Sequence, residues 1–231
     1  MSAPAPALEL RFELPGGARA AFTAKADGNL SSVGGEQAEL GEAARERLRE
    51  QLGLRRLVRG HQVHGTHVRL ITAVPERPSP PGVENADGQA TALRGLGALV
   101  LSADCLPVAL ACEGAVAMVH AGWRGLAAGV LDEGVRALAQ LGGRAPIVAV
   151  VGPCAGPCCY EVGAEVHAAL GDRHRRGTNV DLRAIAHEQL LAAGVAEVRD
   201  APACTICDER LFSHRRERER AGRQGGVAWL S

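Results

Sequence analysis

The stretch 96–121, LGALVLSADCLPVALACEGAVAMVHA, constrains the fold more than any other part of the chain. It is rich in Val and Leu, and it is punctuated by Ser102, Asp104 and Pro107, which rules out a single long helix. Two strands are expected over 96–112, and a third over Ala115–Ala121 after a two-residue turn at Glu113-Gly114. Whatever else the chain builds has to pack around this apolar unit.

The flanking segments supply both element types. LELRFEL (8–14) and ARAAFTAK (18–25) alternate as an antiparallel pair around Pro15-Gly16-Gly17. Leu40, Ala44, Leu48 and Leu52 recur at helical spacing among dense charges, predicting an amphipathic helix from Glu36 to Leu54. Residues 56–72 return to strand, and 77–88, RPSPPGVENADG, reads as loop. A helix is expected from Leu126 to Leu141, a buried strand at PIVAVVG, helices near 163–171 and 181–193, a strand near 196–201 and a terminal strand GGVAWL. These runs mix without strict βαβ alternation, which favours α+β with mixed sheets over a doubly wound parallel sheet.

Composition narrows the function. At 231 residues the chain suits one domain, 1–231, with a substantial core. Its formal net charge of zero gives no field for gathering nucleic acid, so a small-molecule partner is expected. No apolar run is long enough to span a bilayer, and MSAPAPALELRFE lacks a signal peptide's basic and apolar regions. Seven cysteines, an odd number with Cys154, Cys158 and Cys159 clustered, suit the reducing cytoplasm. There is no GxGxxG or GxxxxGK[ST] phosphate loop, which argues against nicotinamide and ATP cofactors.

The hairpin register points to chemistry. With the turn at 113 and 114, position 112 faces 115 and 107 faces 120, so Cys105 and His120 become diagonal neighbours on one face. A third ligand for a shared metal should come from HQVHGTH, where His61, His64 and His67 compete. In a strand His64 would face away from the other two, and Gly65 beside it permits close backbone approach, which favours His64. Two histidines, one cysteine and an open fourth position form the pattern of a catalytic zinc. The plainer alternative is a buried thiol and a satisfied imidazole.

The segments HQVHG, ADGQAT, SADCLPV, HAGWRG, VGPCAGPCCYEVG, CTICDERLFSHRR and GR resemble, in order, the motifs of the family called polyphenol oxidase or laccase-domain proteins, purine nucleoside phosphorylases, and peptidoglycan editing factors. That resemblance implies zinc, with copper as the other metal, on His64, Cys105 and His120. It implies a four-layer α/β/β/α sandwich with mixed sheets, like the cytotoxic necrotizing factor cysteine hydrolases, whose catalytic Cys and His resemble Cys105 and His120. The implied activity is phosphorolysis of adenosine, inosine, guanosine and methylthioadenosine, with hydrolytic deamination of adenosine.

Phosphate then needs cationic or amide donors. Arg124 and the helix start at Gly125 are the first candidates, followed by Arg215, Arg216 and Arg223, while Arg218 and Arg220 read as solvated charges. The alternative for Arg124 is a structural brace on a backbone carbonyl. Asp87 and Glu161 are the acidic candidates for a general base, with a turn role as the alternative for Asp87. The chain departs from the family pattern at DGNLSSVGGEQAEL, at Ser102 where Thr is usual and at His214 where Tyr is usual, which bears on nucleoside preference.

Two other functions compete. A cysteine hydrolase or peptidoglycan-precursor editing factor would use Cys105 as nucleophile and His120 as base. A multicopper oxidase would need more histidines than the eight here can arrange. Cys204 and Cys207 form a CxxC that could join Cys158 and Cys159 in a four-thiolate zinc site, but the spacing lacks the usual two knuckles, so buried or free thiols are expected.

Overall fold

The computed structural model describes residues 10–31, 35–75 and 84–231. β1 (Arg11–Leu14) and β2 (Ala18–Phe22) pair antiparallel across Pro15–Gly17, as the alternation predicts. Residues 8 and 9 of that expected strand and 77–83 of the expected loop lie outside the described residues. The amphipathic helix is α1 (Gly35–Gln51). Next come β3 (Arg56–Val58), β4 (Val68–Ile71), β5 (Gly88–Thr91), β6 (Leu96–Ser102), β7 (Leu106–Glu113) and β8 (Ala115–Ala121).

The second half holds α2 (Trp123–Ala128), α3 (Val130–Gln140), β9 (Arg144–Val151), α4 (Ala164–Ala169), the short pair β10 (Arg175–Arg176) and β11 (Asn179–Val180), α5 (Leu182–Ala192), β12 (Glu197–Asp200), α6 (His214–Glu217) and β13 (Gln224–Leu230). A five-stranded sheet runs β1-β2-β13-β6-β3 and a six-stranded sheet β12-β9-β7-β8-β5-β4. Both are mixed, because β3/β6, β4/β5 and β12/β9 are parallel and the other pairs antiparallel.

Side-chain parity sorts these strands into layers. Val108, Leu110, Cys112, Ala117 and Val119 of the central hairpin face Leu131 and Leu138 of α3 and Ile185 and Leu190 of α5. Ala109, Ala111, Val116 and Met118 face the other way, against Ala18, Ala20, Phe22, Ala98 and Ala228 of the five-stranded sheet. The far side of that sheet is covered by Ala44 and Leu48 of α1. Small residues at the sheet-to-sheet interface bring the layers close. A Cβ at Gly226 would lie 2.8 Å from Pro107 and 2.9 Å from the Met118 sulfur.

Three expectations are corrected. Residues 56–72 are not one strand, since β3 and β4 belong to different sheets and 59–67 between them is irregular. The helix expected over 126–141 begins at Trp123 and is broken at Gly129, whose φ of 86° caps α2 in the left-handed region. Gly88–Thr91, placed at the end of a loop and beyond, is the buried strand β5, which is too short and too poor in β-branched residues to show in the pattern.

Candidate metal and catalytic site

The hairpin register holds in three dimensions, with Cys112 opposite Ala115 and Pro107 opposite His120. Cys105 stands just before β7, beyond a turn in which Asp104 takes φ 91°, and His64 lies in the irregular 59–67 segment with φ 60°. Both connections, 59–67 and 103–105, leave the five-stranded sheet and enter the six-stranded one. The ligand atoms of His64, Cys105 and His120 all lie within 4.8 Å of one another, grading from exposed through half-buried to buried. The two imidazoles meet edge to face at 5.0 Å.

Asp87, fully buried at the entrance to β5, organises this group. Its Oδ1 accepts the His64 amide and His120 Nδ1, both at 2.9 Å, while Oδ2 accepts the amides of Val63 at 3.1 Å and Gly65 at 2.7 Å. One carboxylate thus shapes the His64 turn and fixes the His120 ring with Nε2 left for the pocket. Burial opposes ionisation of Asp87, but these donors outweigh it and hold the acid below its usual range. Asp87 is thus wholly buried and committed to four donors, an arrangement that suits positioning of His64 and His120 better than proton abstraction. The parity argument for His64 is corrected, because it stands on a turn and not on a strand.

The Cys105 thiol and the His120 imidazole each favour the charged form of the other. Desolvation pushes the thiol up, yet the His120 charge and hydrogen bonds from both histidines bring it down to about 6. Desolvation likewise opposes His120 protonation, and the thiolate and Asp87 raise it to about 9. In metal-free protein Cys105 therefore stays ionised as pH falls to about 6 and becomes a neutral thiol below it. Carboxymethylation of Cys105 in stripped protein, followed by peptide mapping, should show a rate midpoint near pH 6, and an ordinary midpoint near 9 would refute the pairing.

A room-limiting glycine adjoins the group. A Cβ at Gly122 would come within 3.0 Å of the His64 ring and 3.1 Å of the Cys105 sulfur. The donor set therefore fits a borderline-soft ion: two imidazoles and a thiolate converge, one ring is oriented by a carboxylate, and the backbone leaves room.

The other candidates disperse. Exposed Arg124 stacks on Trp123 at 4.3 Å. Gly125 is buried where a Cβ would meet the Gly65 carbonyl at 3.1 Å. Glu161 is exposed and offers its backbone carbonyl to Arg215, whose guanidinium also lies over the Tyr160 ring. Arg216 donates to the carbonyls of Thr205, Ile206 and Leu211, and Arg223 to those of Ala221 and Gly222. These contacts tie both guanidinium groups to backbone carbonyls. His67 pairs with Glu84, and the His61 backbone bridges to Asn85.

Two residues escaped the sequence reading. Tyr160, the chain's single tyrosine, is pushed up to about 12 by burial and then by the Cys105 charge, so its phenol stays protonated. Asp104 accepts the Thr205 hydroxyl at 2.6 Å and the Arg215 amide at 2.7 Å, tying the C-terminal loop to the residue before Cys105. The CCYEVG and ADC motifs carried both, but nothing in the spacing gave them partners.

A family profile described as multi-copper polyphenol oxidoreductase laccase matches residues 16–231. The chain belongs to this family. Among laccase-family relatives, a Xylella fastidiosa protein named purine nucleoside phosphorylase is 38% identical over 94% of this chain and 88% of its own length. A Streptomyces coelicolor protein of the same name is 38% identical over 87% of each chain. The crystal structure of YlmD from Geobacillus stearothermophilus superposes with a TM-score of 0.81 at 30% identity, covering 93% of this chain and 92% of that one. Among the described residues of this laccase-family chain, no helix is long and apolar enough to cross a membrane.

Proposed function

We propose that this chain is a zinc-dependent purine nucleoside phosphorylase that acts on adenosine, inosine, guanosine and methylthioadenosine and also deaminates adenosine. The observation that carries this reading is the convergence of His64, Cys105 and His120 around the buried Asp87, in a chain whose relatives bear the phosphorylase name. His64, Cys105 and His120 would hold the ion, which supplies Lewis acidity when bound. Asp87 keeps the His120 ring turned and the 63–65 amides in place. Tyr160 offers a protonated hydroxyl, and Arg124, free of any backbone carbonyl among the described residues, offers positive charge to phosphate.

The donor count speaks against multicopper oxidation. Among the described residues only two clusters of metal-ligating side chains occur, and only one contains histidine. His174 and His187 pair instead with Glu188 and Asp200. Incubating the protein with adenosine and phosphate should yield adenine, ribose-1-phosphate and inosine, all suppressed by chelator. Absence of every product in zinc-loaded protein would defeat the proposal.

Arg124→Ala should separate the two reactions, because only phosphorolysis has to hold an anion. Losing a charge-assisted contact of about 1.5 to 3 kcal/mol lowers phosphorolytic kcat/KM about 10-fold to 150-fold. Deamination should change much less. Parallel loss of both with a lowered Tm would make Arg124 a structural residue.

A second reading rests on one observation, the chain Cys105–His120–Asp87, which is the arrangement of an activated thiol nucleophile. It predicts hydrolysis of amides or esters that persists after chelation. Chelation that abolishes turnover while leaving Cys105 alkylatable decides against it.

A further inference from the structure

The four remaining clustered cysteines, expected as buried or free thiols, are free and stand together. The sulfurs of Cys158, Cys159, Cys204 and Cys207 all lie within 4.8 Å of one another. Cys158 and Cys207 are 3.4 Å apart, Cys158 and Cys159 3.4 Å, and Cys159 and Cys207 2.9 Å. None is in a disulfide. Four thiolates around zinc, each at about 2.3 Å, form a tetrahedron with edges of roughly 3.8 Å, so the four sulfurs are close enough together to share one ion after small side-chain adjustments.

The surroundings are built for it. Cys204-Thr205-Ile206-Cys207 is a tight turn closed by the Asp208 amide on the Cys204 carbonyl at 2.9 Å. The Gly156 amide donates to the Cys204 sulfur at 3.2 Å, and the Cys207 amide faces the same atom. Amides turned onto a knuckle sulfur support its thiolate form. A Cβ at Gly156 would lie 3.3 Å from the sulfurs of both Cys158 and Cys204, so the glycine keeps that space clear. Arg216 grips the carbonyls of Thr205 and Ile206 from the other side, fixing the turn.

We propose that Cys158, Cys159, Cys204 and Cys207 form a second metal site, a four-thiolate centre holding one zinc ion that clamps the 153–163 loop to the 203–216 segment. All-sulfur donors select a thiophilic ion over magnesium or calcium. On uptake the thiols release their protons to solvent as the four Zn–S bonds form. The clamped segments carry Tyr160 and Arg215, and Thr205 binds Asp104 beside Cys105, so the centre is linked through these contacts to the residue that precedes Cys105.

Metal analysis of the full chain should find about two zinc ions, one lost in Cys204→Ser/Cys207→Ser and the other in His64→Ala/Cys105→Ala. Because the first pair can impair folding, zinc-edge X-ray absorption on His64→Ala/Cys105→Ala provides a readout with the cluster intact. It should show a shell of sulfur alone. Retention of all zinc in the serine variant, a nitrogen-containing shell at the remaining ion, or a disulfide among these four cysteines in peptide maps of unreduced protein would overturn the proposal. These readouts do not depend on nucleoside turnover.

Discussion

Asp87→Ala is expected to lower folding stability by about 3 to 5 kcal/mol and to weaken metal binding in the same variant. The carboxylate is wholly buried and accepts from three amides and the His120 ring, so truncation leaves four donors without an acceptor. An unpaired buried donor costs about 1 to 3 kcal/mol, and relaxation of the 63–65 turn toward solvent offsets part of the sum. For a chain of this size the loss corresponds to a Tm lower by about 6 to 20 °C. Asp87→Asn keeps the volume but offers one acceptor oxygen in place of two. It should fold better than the alanine variant and still lose about 10-fold to 100-fold in metal affinity. An Asp87→Ala protein with unchanged Tm and full metal content would show that the carboxylate organises nothing.

His64→Ala should cost more metal affinity than replacement of either neighbouring histidine. Structural zinc binding contributes about 10 to 16 kcal/mol over four ligands, hence roughly 2.5 to 4 kcal/mol for each. Losing one ligand therefore lowers affinity about 100-fold to 1000-fold, and phosphorolysis should fall with it. His67→Ala removes only an exposed pairing with Glu84 and should leave affinity nearly unchanged. His61→Ala should act weakly, within about 10-fold, because His61 is tied to the segment before Asp87 through its backbone, which the substitution keeps. Competition with a chelating dye, in a Cys207→Ser background so that one site is counted, compares the three. Equal losses in His61→Ala and His64→Ala would remove His64 from the ligand set.

Local rules reached far into this site and then stopped at identifiable places. Turn length and strand parity alone set Pro107 opposite His120 and brought Cys105 beside it, because a two-residue turn leaves one register. His64 was favoured on a false premise. Strand parity does not apply to a residue at φ 60°, and what holds it is a carboxylate 23 residues away. Asp87 reads as a turn residue or a base because its four donors come from two segments distant from it in sequence, 63–65 and His120. The cysteine cluster is not legible in the sequence, because an adjacent pair and a CxxC lack paired-knuckle spacing. The approach of the two loops is made instead through backbone contacts such as Cys154 with Cys204, to which sequence spacing is blind. Arg216 and Arg223 matched the motif, yet their partners are carbonyls, which no side-chain pattern reveals.

Because His64 and Cys105 ride on two of the four connections that pass between the sheets, their separation gauges how the two layers are registered. Neither sheet can present His64, Cys105 and His120 together while the layers are apart, so on the proposed function metal capture would belong to the end of folding and not to its nucleus. Chelation should correspondingly raise the unfolding rate far more than it slows refolding. A substitution at the sheet interface, remote from every ligand, that lets the layers slide by an ångström would be felt first as a loosened ion and only later as a loss of secondary structure.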